Sequence, residues 1–323
     1  MISNSLTSSH TDDPIRRKIE ALGHKLSLPT VSRALGVLEG EHASRRRGGG
    51  DEFMDIRLWQ PGDEARLIDW RTSARNGRPM VIDKERPATS CVWMLMDVGR
   101  EMTGSCTNGE RAWQVAANAL RMFATLSLRR SDDISLVLAD AASITRIPFN
   151  GGFARFEHTL DQALERRWDQ PRNIDALLDY AQRIRDRSAL LVLATDETAL
   201  RESHVQAIRL LAQMHPLVVV DVSVANPFAL KATGASVIDA PGRRGVPAFM
   251  ARSKAADEVA THREYLAAAL QRELARCGST MIRSDSSEGM FDAFVALVST
   301  TLSRSTRNRL RAAPALTMVG DAR

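Results

Sequence analysis

The sequence predicts an α/β protein with a mostly parallel sheet and helices on both faces. Three apolar runs, Cys91–Asp97, Ala189–Thr195 and Leu217–Val222, have the length and continuous hydrophobicity of buried parallel strands. Segments with helical periodicity separate these runs, and strands that alternate with helices form parallel sheets. The chain has 323 residues, of which 44% are hydrophobic, enough for one large core and a smaller appendage.

Local signals predict the remaining elements. A helix is predicted to begin at Asp13 and Pro14, where a capping residue precedes proline, and to continue to about Leu26. Residues 134–139 and 143–149 are predicted to form a β-hairpin at one edge of the sheet. Further helices are predicted over residues 31–38, 110–128, 153–166, 173–185, 200–214, 254–276 and 287–303, and a short strand over residues 279–283.

Composition and punctuation divide the chain into four predicted parts. Residues 1–42 are an N-terminal tail with helices, and residues 43–90 are a segment rich in charges and tryptophan. Residues 91–303 are the α/β domain, and residues 304–323 are a basic tail that we expect to be exposed. Within the second part, the run Ser44–Gly50 has the composition of a basic, flexible linker.

Cysteine usage and hydropathy bear on the location of the protein. The three cysteines, Cys91, Cys106 and Cys277, lie far apart and form no C-x-x-C pair, which is typical of a reducing compartment. The apolar runs are much shorter than the roughly 20 residues that span a bilayer. The polar N-terminus lacks the apolar stretch of a secretory signal. We therefore expect a cytoplasmic protein without a membrane span.

The charge distribution argues against a nucleic-acid partner. The formal net charge is +5, and the basic residues are spread along the chain rather than concentrated in one part. Only Arg45–Arg47 and the cluster between Arg304 and Arg311 would suit such a partner. The sequence also lacks an H-x-x-x-H pair, a G-x-S-x-G elbow and a G-x-x-x-x-G-K-[ST] phosphate loop. These patterns do not predict an enzyme.

Two predicted strands end in a carboxylate, Asp97 and Asp196. Ligands of open α/β sheets bind beyond the carboxyl ends of the strands, so these side chains are candidates for a site. The pattern is similar to the von Willebrand factor A fold, in which the first strand ends in D-x-S-x-S, a later loop supplies a threonine and the fourth strand ends in an aspartate. The resemblance implies a Mg²⁺ ion with one coordination position open for a partner's carboxylate.

This sequence departs from that pattern. The stretch Asp97–Glu101 reads D-V-G-R-E, so both serines are absent, and Gln170–Asn173 stands where the threonine is expected. The resemblance therefore implies a degenerate metal-ion-dependent adhesion site made of Asp97, Glu101 and Asp196. One interpretation is a Mg²⁺ site in which Glu101 replaces a serine; the other is a set of remnant acids.

Three carboxylates in one place need a counter-charge, because like charges so close cannot all stay ionised. Arg100 and Arg172 lie in the appropriate loops, and a guanidinium group pairs well with carboxylates. We expect an arginine to take the place of the metal, with no resident cofactor; Mg²⁺ is the alternative.

A second pattern occupies residues 48–85. Its landmarks are Phe53, Arg57, Gly62, Asp63, Arg66, Ile68, Asp69, Trp70, Ala74 and Arg75. The set closely resembles the signature of the bacterial "domain of unknown function 58" family, which reads G-x-G-x-E-F, R-x-Y-x-x-G-D and R-x-I-D-W-x-x-x-A-R. Trp59 takes the place of the tyrosine. The resemblance extends over roughly residues 40–300 and is specific, because about ten positions match at fixed spacing.

Two interpretations of this segment stay open. Its charged and aromatic residues either form a docking surface for a partner or an internal network that fastens the segment to the sheet. The residues concerned are Arg57, Asp63, Arg66, Asp69, Trp70, Arg71 and Arg75.

The family resemblance implies a function. Members of the resembled family look like partners of MoxR-type AAA+ ATPases, and the A-like domain of these members acts as the adaptor. We therefore expect a non-enzymatic, protein-binding adaptor that supports assembly or maturation of other proteins. The alternative is a metal-dependent hydrolase that uses Asp97, Glu101 and Asp196.

Overall fold

The computed structural model describes residues 14–26, 31, 35, 38, 55–59, 68, 70–83, 90–232, 237, 245–247 and 253–312. The chain divides into two compact units, a small one of Ala43–Thr89 and a large one that combines Met1–His42 with Ser90–Arg323. The predicted linker Ser44–Gly50 lies outside the described residues.

The helices are α1 (Pro14–Lys25), α2 (Trp70–Asn76), α3 (Ala112–Arg130), α4 (Phe153–Leu164), α5 (Ile174–Gln182), α6 (Val205–Met214), α7 (Pro227–Ala232), α8 (Ser253–Arg276) and α9 (Ser287–Ala312). Short 3₁₀ helices span Arg100–Thr103 and Glu202–His204. The strands are β1 (Asp55–Leu58), β2 (Met80–Asp83), β3 (Cys91–Asp97), β4 (Asp133–Ala139), β5 (Ile144–Phe149), β6 (Leu190–Asp196), β7 (Leu217–Val222) and β8 (Thr280–Ser284).

The large unit contains a six-stranded sheet with the order β5-β4-β3-β6-β7-β8. The hairpin strand β5 pairs antiparallel with β4 at one edge, and the other neighbours are parallel. The predicted α/β fold of the von Willebrand factor A type is thereby confirmed. The three apolar runs of the sequence form the adjacent strands β3, β6 and β7.

Each face of this sheet carries its own hydrophobic core. Side chains alternate along β3, so that Met94 and Met96 join the core formed with α1, α3, α4 and α9, while Leu95 joins the core formed with α5, α6 and α8. The strands β3, β6 and β7 are buried on both faces, which explains why they read as continuous apolar runs rather than as alternating patterns.

The N-terminal helix α1 packs into the hydrophobic core of the large unit. Ile15 and Ile19 lie one helical turn apart and are 8% and 0% exposed. At Gly23, an added Cβ would lie 2.5 Å from Cγ2 of Thr125 in α3, so the two helices approach closely there. Val31, Leu35 and Leu38 are also helical and buried, as their spacing predicts.

A buried polar network fastens α1 to its neighbours. Arg121 of α3, with a side chain only 3% exposed, pairs with Asp161 of α4. It also donates to the side-chain oxygen of Asn118 at 2.7 Å. Arg16 of α1 approaches the same aspartate, with 2.8 Å between its Nη1 and Oδ2 of Asp161. One carboxylate therefore joins three helices, a contact that residue spacing along the chain could not predict.

The C-terminal helix is longer than predicted. Helix α9 continues to Ala312, whereas the sequence pattern predicts a helix end at residue 303 followed by a basic tail over residues 304–323. The stretch from 304 to 312 contains neither glycine nor proline, and the first helix-breaking residue is Pro314. Residues 1–13 and 313–323 lie outside the described residues.

The small unit contains the antiparallel pair β1 and β2, with Asp55 opposite Asp83 and Leu58 opposite Met80. Helix α2 precedes β2, and the hydroxyl of Ser73 accepts the backbone N–H of Met80 at 2.8 Å. Among the described helices of both units, none is long and apolar enough to cross a membrane.

Candidate functional site

The two strand-end carboxylates lie at the same edge of the sheet, as predicted. Met96 of β3 is aligned with Ala194 of β6, so Asp97 and Asp196 follow at the carboxyl ends of adjacent parallel strands. Their side chains are each only 1% exposed. Burial of two carboxylates so close together requires a compensating positive charge.

Arg172 supplies that charge. Its Nη2 pairs with Oδ2 of Asp196, and its Nη1 donates to Oδ1 of the same carboxylate at 3.2 Å, a two-point contact that matches the guanidinium fork. Its Nε lies 3.3 Å from Oδ2 of Asp97. Its Nη1 also donates to the hydroxyl of Thr198 at 3.1 Å. One guanidinium group thus contacts both strand-end acids.

The third predicted acid, Glu101, lies in the same cluster. It belongs to the short 3₁₀ helix that follows β3, and its Oε2 accepts the backbone N–H of Arg172 at 2.9 Å. The same oxygen lies 4.0 Å from Nε of Arg172. Arg100 stands farther out, with Nε 4.0 Å from Oε1 of Glu101. Glu101 is therefore held mainly by its hydrogen bond from the backbone N–H of Arg172.

Gly99 makes room for this loop. A Cβ atom at residue 99 would lie 2.4 Å from Cα of Arg172 and 2.5 Å from its backbone N, far inside van der Waals contact. The resembled fold carries a serine at this position. Here the backbone of Arg172 fills the space that a serine side chain at residue 99 would need. The absence of a side chain at residue 99 is therefore what allows Arg172 to lie beside it.

Hydroxyl and backbone donors also bind the two carboxylates. Asp97 accepts the N–H of Gly99 at 2.9 Å and the hydroxyl of Thr195 at 3.0 Å. Asp196 accepts the N–H of Thr198 at 2.7 Å and its hydroxyl at 2.5 Å. Both acids are thus held by short-range turns as well as by the arginine, as expected for fixed, ionisable groups at strand ends.

The electrostatic balance favours the charged arginine. Burial raises the pKa of Asp97 to about 6, although Arg172 and the N–H of Gly99 lower it. Burial acts to lower the pKa of Arg172, but the charges of Asp196, Asp97 and Glu101 outweigh burial and raise this pKa above its ordinary value. The guanidinium therefore stays charged throughout the physiological range.

A second charged cluster adjoins the first and was missed by the sequence analysis. Glu197, directly after Asp196, accepts Nη1 of Arg263 at 2.7 Å and Nη2 of Arg283 at 2.6 Å. Its Oε1 also accepts the backbone N–H of Val224 at 3.0 Å. Nothing in the sequence pairs these residues, because α8 and β8 reach Glu197 only through the strand order of the sheet.

Asp221 of β7 lies beneath this cluster. Its Oδ2 is 3.3 Å from Nε of Arg283, and burial raises its pKa to about 7, although Arg283 lowers it. The charges of Glu197, Asp196 and Glu264 raise it further. The ordinary pKa of an aspartate is about 4, so the folded protein binds this proton more tightly than the unfolded chain does.

This shift predicts a pH dependence of stability. A carboxyl whose pKa is raised on folding stabilises the protein while protonated, so the contribution of Asp221 to stability should fall as pH rises from about 4 to about 7. As pH rises across that range, we expect the free energy of unfolding of Asp221→Asn to fall less than that of the wild type. Urea unfolding at closely spaced pH values measures the difference; parallel curves for the two proteins would contradict the expectation.

The residues of the predicted signature are only partly described. Arg57 lies in β1, and Asp63, Arg66 and Asp69 lie outside the described residues. Trp70, Arg71 and Arg75 lie in α2, where Trp70 is 70% exposed and both arginines are exposed. Residues 43–89 form a compact unit of their own, whereas Asp97 and Asp196 belong to the large unit.

The fold and site define a von Willebrand factor A-like domain whose strand-end acids surround an arginine. The chain belongs to the family described as "Protein of unknown function DUF58", which matches residues 55–264. Uncharacterized proteins of Mycobacterium bovis and Mycobacterium tuberculosis are 27% identical over 201 residues, 59% of this chain and 60% of each relative. The match thus spans about three fifths of the curated relatives' length.

Among solved structures, the chain is similar to an aerotolerance-related membrane protein from Bacteroides fragilis with multiple mutations to serines. The sequence identity is 13%, the TM-score is 0.42, and the similarity covers 65% of this chain and 99% of the other.

Proposed function

We propose that this chain is a protein-binding adaptor that works with a MoxR-type AAA+ ATPase in the assembly or maturation of other proteins. The observation that carries the proposal is the occupation of the carboxyl edge by Arg172, which pairs with Asp97 and Asp196. In α/β sheets of this type the edge is the usual ligand site. An edge whose acids are already neutralised suits contact with a folded partner better than chemistry.

The alternative of a metal-dependent hydrolase has less support. Such an enzyme needs carboxylates with free oxygens to hold a metal and a water molecule. Here Asp196 accepts from Arg172 and from Thr198, and Asp97 accepts from the N–H of Gly99 and the hydroxyl of Thr195 while Nε of Arg172 lies 3.3 Å away. Hydrolysis of a phosphoester or peptide that needs Mn²⁺ and disappears in Asp97→Asn would favour this alternative over the adaptor.

The small unit offers a surface for partner contact. Trp70 is 70% exposed on α2, and Arg71, Arg75 and Arg78 are exposed on or just after the same helix. Tryptophan and arginine are enriched among the residues that dominate the energy of protein interfaces. An exposed tryptophan beside arginines therefore supports the docking interpretation of the signature over an internal network.

The proposal includes a cytoplasmic location, where an ATPase partner has access to its nucleotide. Cys91, Cys106 and Cys277 are free thiols, as is usual for a reducing compartment.

A binding experiment tests the proposal. The purified full chain is titrated by interferometry against a purified MoxR-type ATPase of the same organism, with Trp70→Ala and Tyr265→Ala as matched variants. Tyr265 is 58% exposed but belongs to the large unit, so it controls for loss of any exposed aromatic ring. We expect Trp70→Ala to weaken binding about tenfold or more, as interface tryptophans do, and Tyr265→Ala to leave it unchanged. Lack of binding by the wild type would contradict the adaptor role.

A further inference from the structure

The von Willebrand factor A fold implies a divalent cation at the strand-end acids, and the residues present do not fit one. Mg²⁺ requires near-octahedral oxygen ligands at about 2.0–2.1 Å and usually retains waters. Within the part of the chain that the structure describes, no group of three or more His, Cys, Asp or Glu side chains is placed to hold a metal ion. The charged guanidinium of Arg172 lies among the acids that would have to supply the ligands.

From this disagreement we infer that the strand-end cluster is a guanidinium site whose resident cation is Arg172 of the same chain. The contacts have the geometry that a guanidinium group selects. Two parallel hydrogen bonds run from Nη1 and Nη2 to the two oxygens of Asp196, and Nε lies within ion-pair distance of Asp97, 3.3 Å from its Oδ2. A spherical metal ion does not require this planar arrangement of acceptors, whereas the planar, forked donors of a guanidinium group match it.

The surrounding backbone is also built for the arginine. Arg172 is bound through its own N–H, which Oε2 of Glu101 accepts at 2.9 Å, and the preceding loop is fixed where Arg100 N–H donates to the carbonyl of Gln170 at 2.7 Å. Gly99 leaves space for the backbone of Arg172 that no larger residue would leave. Three separate features therefore fix the backbone from which the Arg172 side chain extends, and a partner that docks on this edge docks without a metal bridge.

The test asks which cation the cluster accepts. Melting temperatures of the full-length wild type and of Arg172→Ala are measured in EDTA, in MnCl₂ and in methylguanidinium chloride at millimolar concentrations too low to denature. The wild type should respond to neither cation, because its site is filled. In Arg172→Ala, methylguanidinium should raise the melting temperature by about 5 °C in a saturable way, since a ligand that binds only the folded state stabilises that state. Mn²⁺ should give a smaller rise or none.

Several results would overturn the inference. Wild-type protein that binds Mn²⁺ by calorimetry and loses this binding in Asp97→Asn would have a metal site after all. A variant Arg172→Ala that is stabilised by Mn²⁺ and not by methylguanidinium would show a pocket selective for metals, and lack of response to either would show that the pocket selects no cation. If Arg172→Ala does not fold, Arg172→Lys replaces it: retention of charge without the fork should still lower the melting temperature, and an unchanged value would refute the guanidinium requirement.

Discussion

Replacement of Arg172 by alanine is expected to lower the free energy of unfolding by about 3–5 kcal/mol, the usual cost of leaving a buried charge unpaired. The side chain is 14% exposed, and the two aspartates that would lose their partner are 1% exposed. Without the guanidinium, Asp97 and Asp196 would repel each other at the ends of adjacent central strands. Urea unfolding at neutral pH in EDTA measures the loss.

The same loop provides the matched control. Arg167 is 92% exposed and lies 3.6 Å from Asp169, so its charge is solvated. Arg167→Ala should change stability by less than about 0.5 kcal/mol, as surface substitutions usually do. Equal effects of the two substitutions, or a loss below about 1 kcal/mol for Arg172→Ala, would mean that the ion pairs of Arg172 do not hold the site together.

Replacement of Glu197 by alanine is expected to have a comparable effect, about 3–5 kcal/mol. Its side chain is 5% exposed and joins Arg263 of α8 to Arg283 of β8, both of them largely buried. The substitution would leave two guanidinium groups and the N–H of Val224 without their shared acceptor. Chemical unfolding monitored by circular dichroism gives the value directly.

Two further variants separate charge from packing in this cluster. Glu197→Gln keeps the shape of the side chain and one oxygen. Its free energy of unfolding should therefore lie between the values of the wild type and of Glu197→Ala. Glu264, which also accepts from Arg283 at 2.7 Å, has a side chain that is 70% exposed. Glu264→Ala should therefore cost less than about 1 kcal/mol. A large loss for Glu264→Ala with a small one for Glu197→Ala would reverse the assignment.

The arrangement of the sheet was predictable because its central strands are buried on both faces. Burial on both sides forces continuous apolar runs, and these runs can be recognised without any knowledge of the fold. The position of Asp97 beside Asp196 followed from the same reasoning, since carboxyl ends of parallel strands share an edge. The need for an arginine followed from the charge of the acids, although spacing could not choose between Arg100 and Arg172.

The contacts across the sheet were not predictable. Glu197, Arg263 and Arg283 meet only because β6, β7 and β8 lie side by side and α8 packs next to them, and no local pattern encodes this neighbourhood. Likewise, the packing of α1 depends on Arg16 reaching Asp161 of α4, 145 residues away. The helix end near residue 303 was misplaced because polar, arginine-rich sequence was interpreted as a tail, although arginine has a high helix propensity.

The central claim is that an arginine, and not a divalent ion, neutralises the strand-end acids of this domain. Anomalous diffraction from crystals of the wild-type protein soaked in manganese chloride tests it most directly. We predict guanidinium density of Arg172 between Asp97 and Asp196, and no anomalous peak among Asp97, Glu101 and Asp196. A manganese peak bound by these carboxylates, with the side chain of Arg172 turned away, would contradict the account.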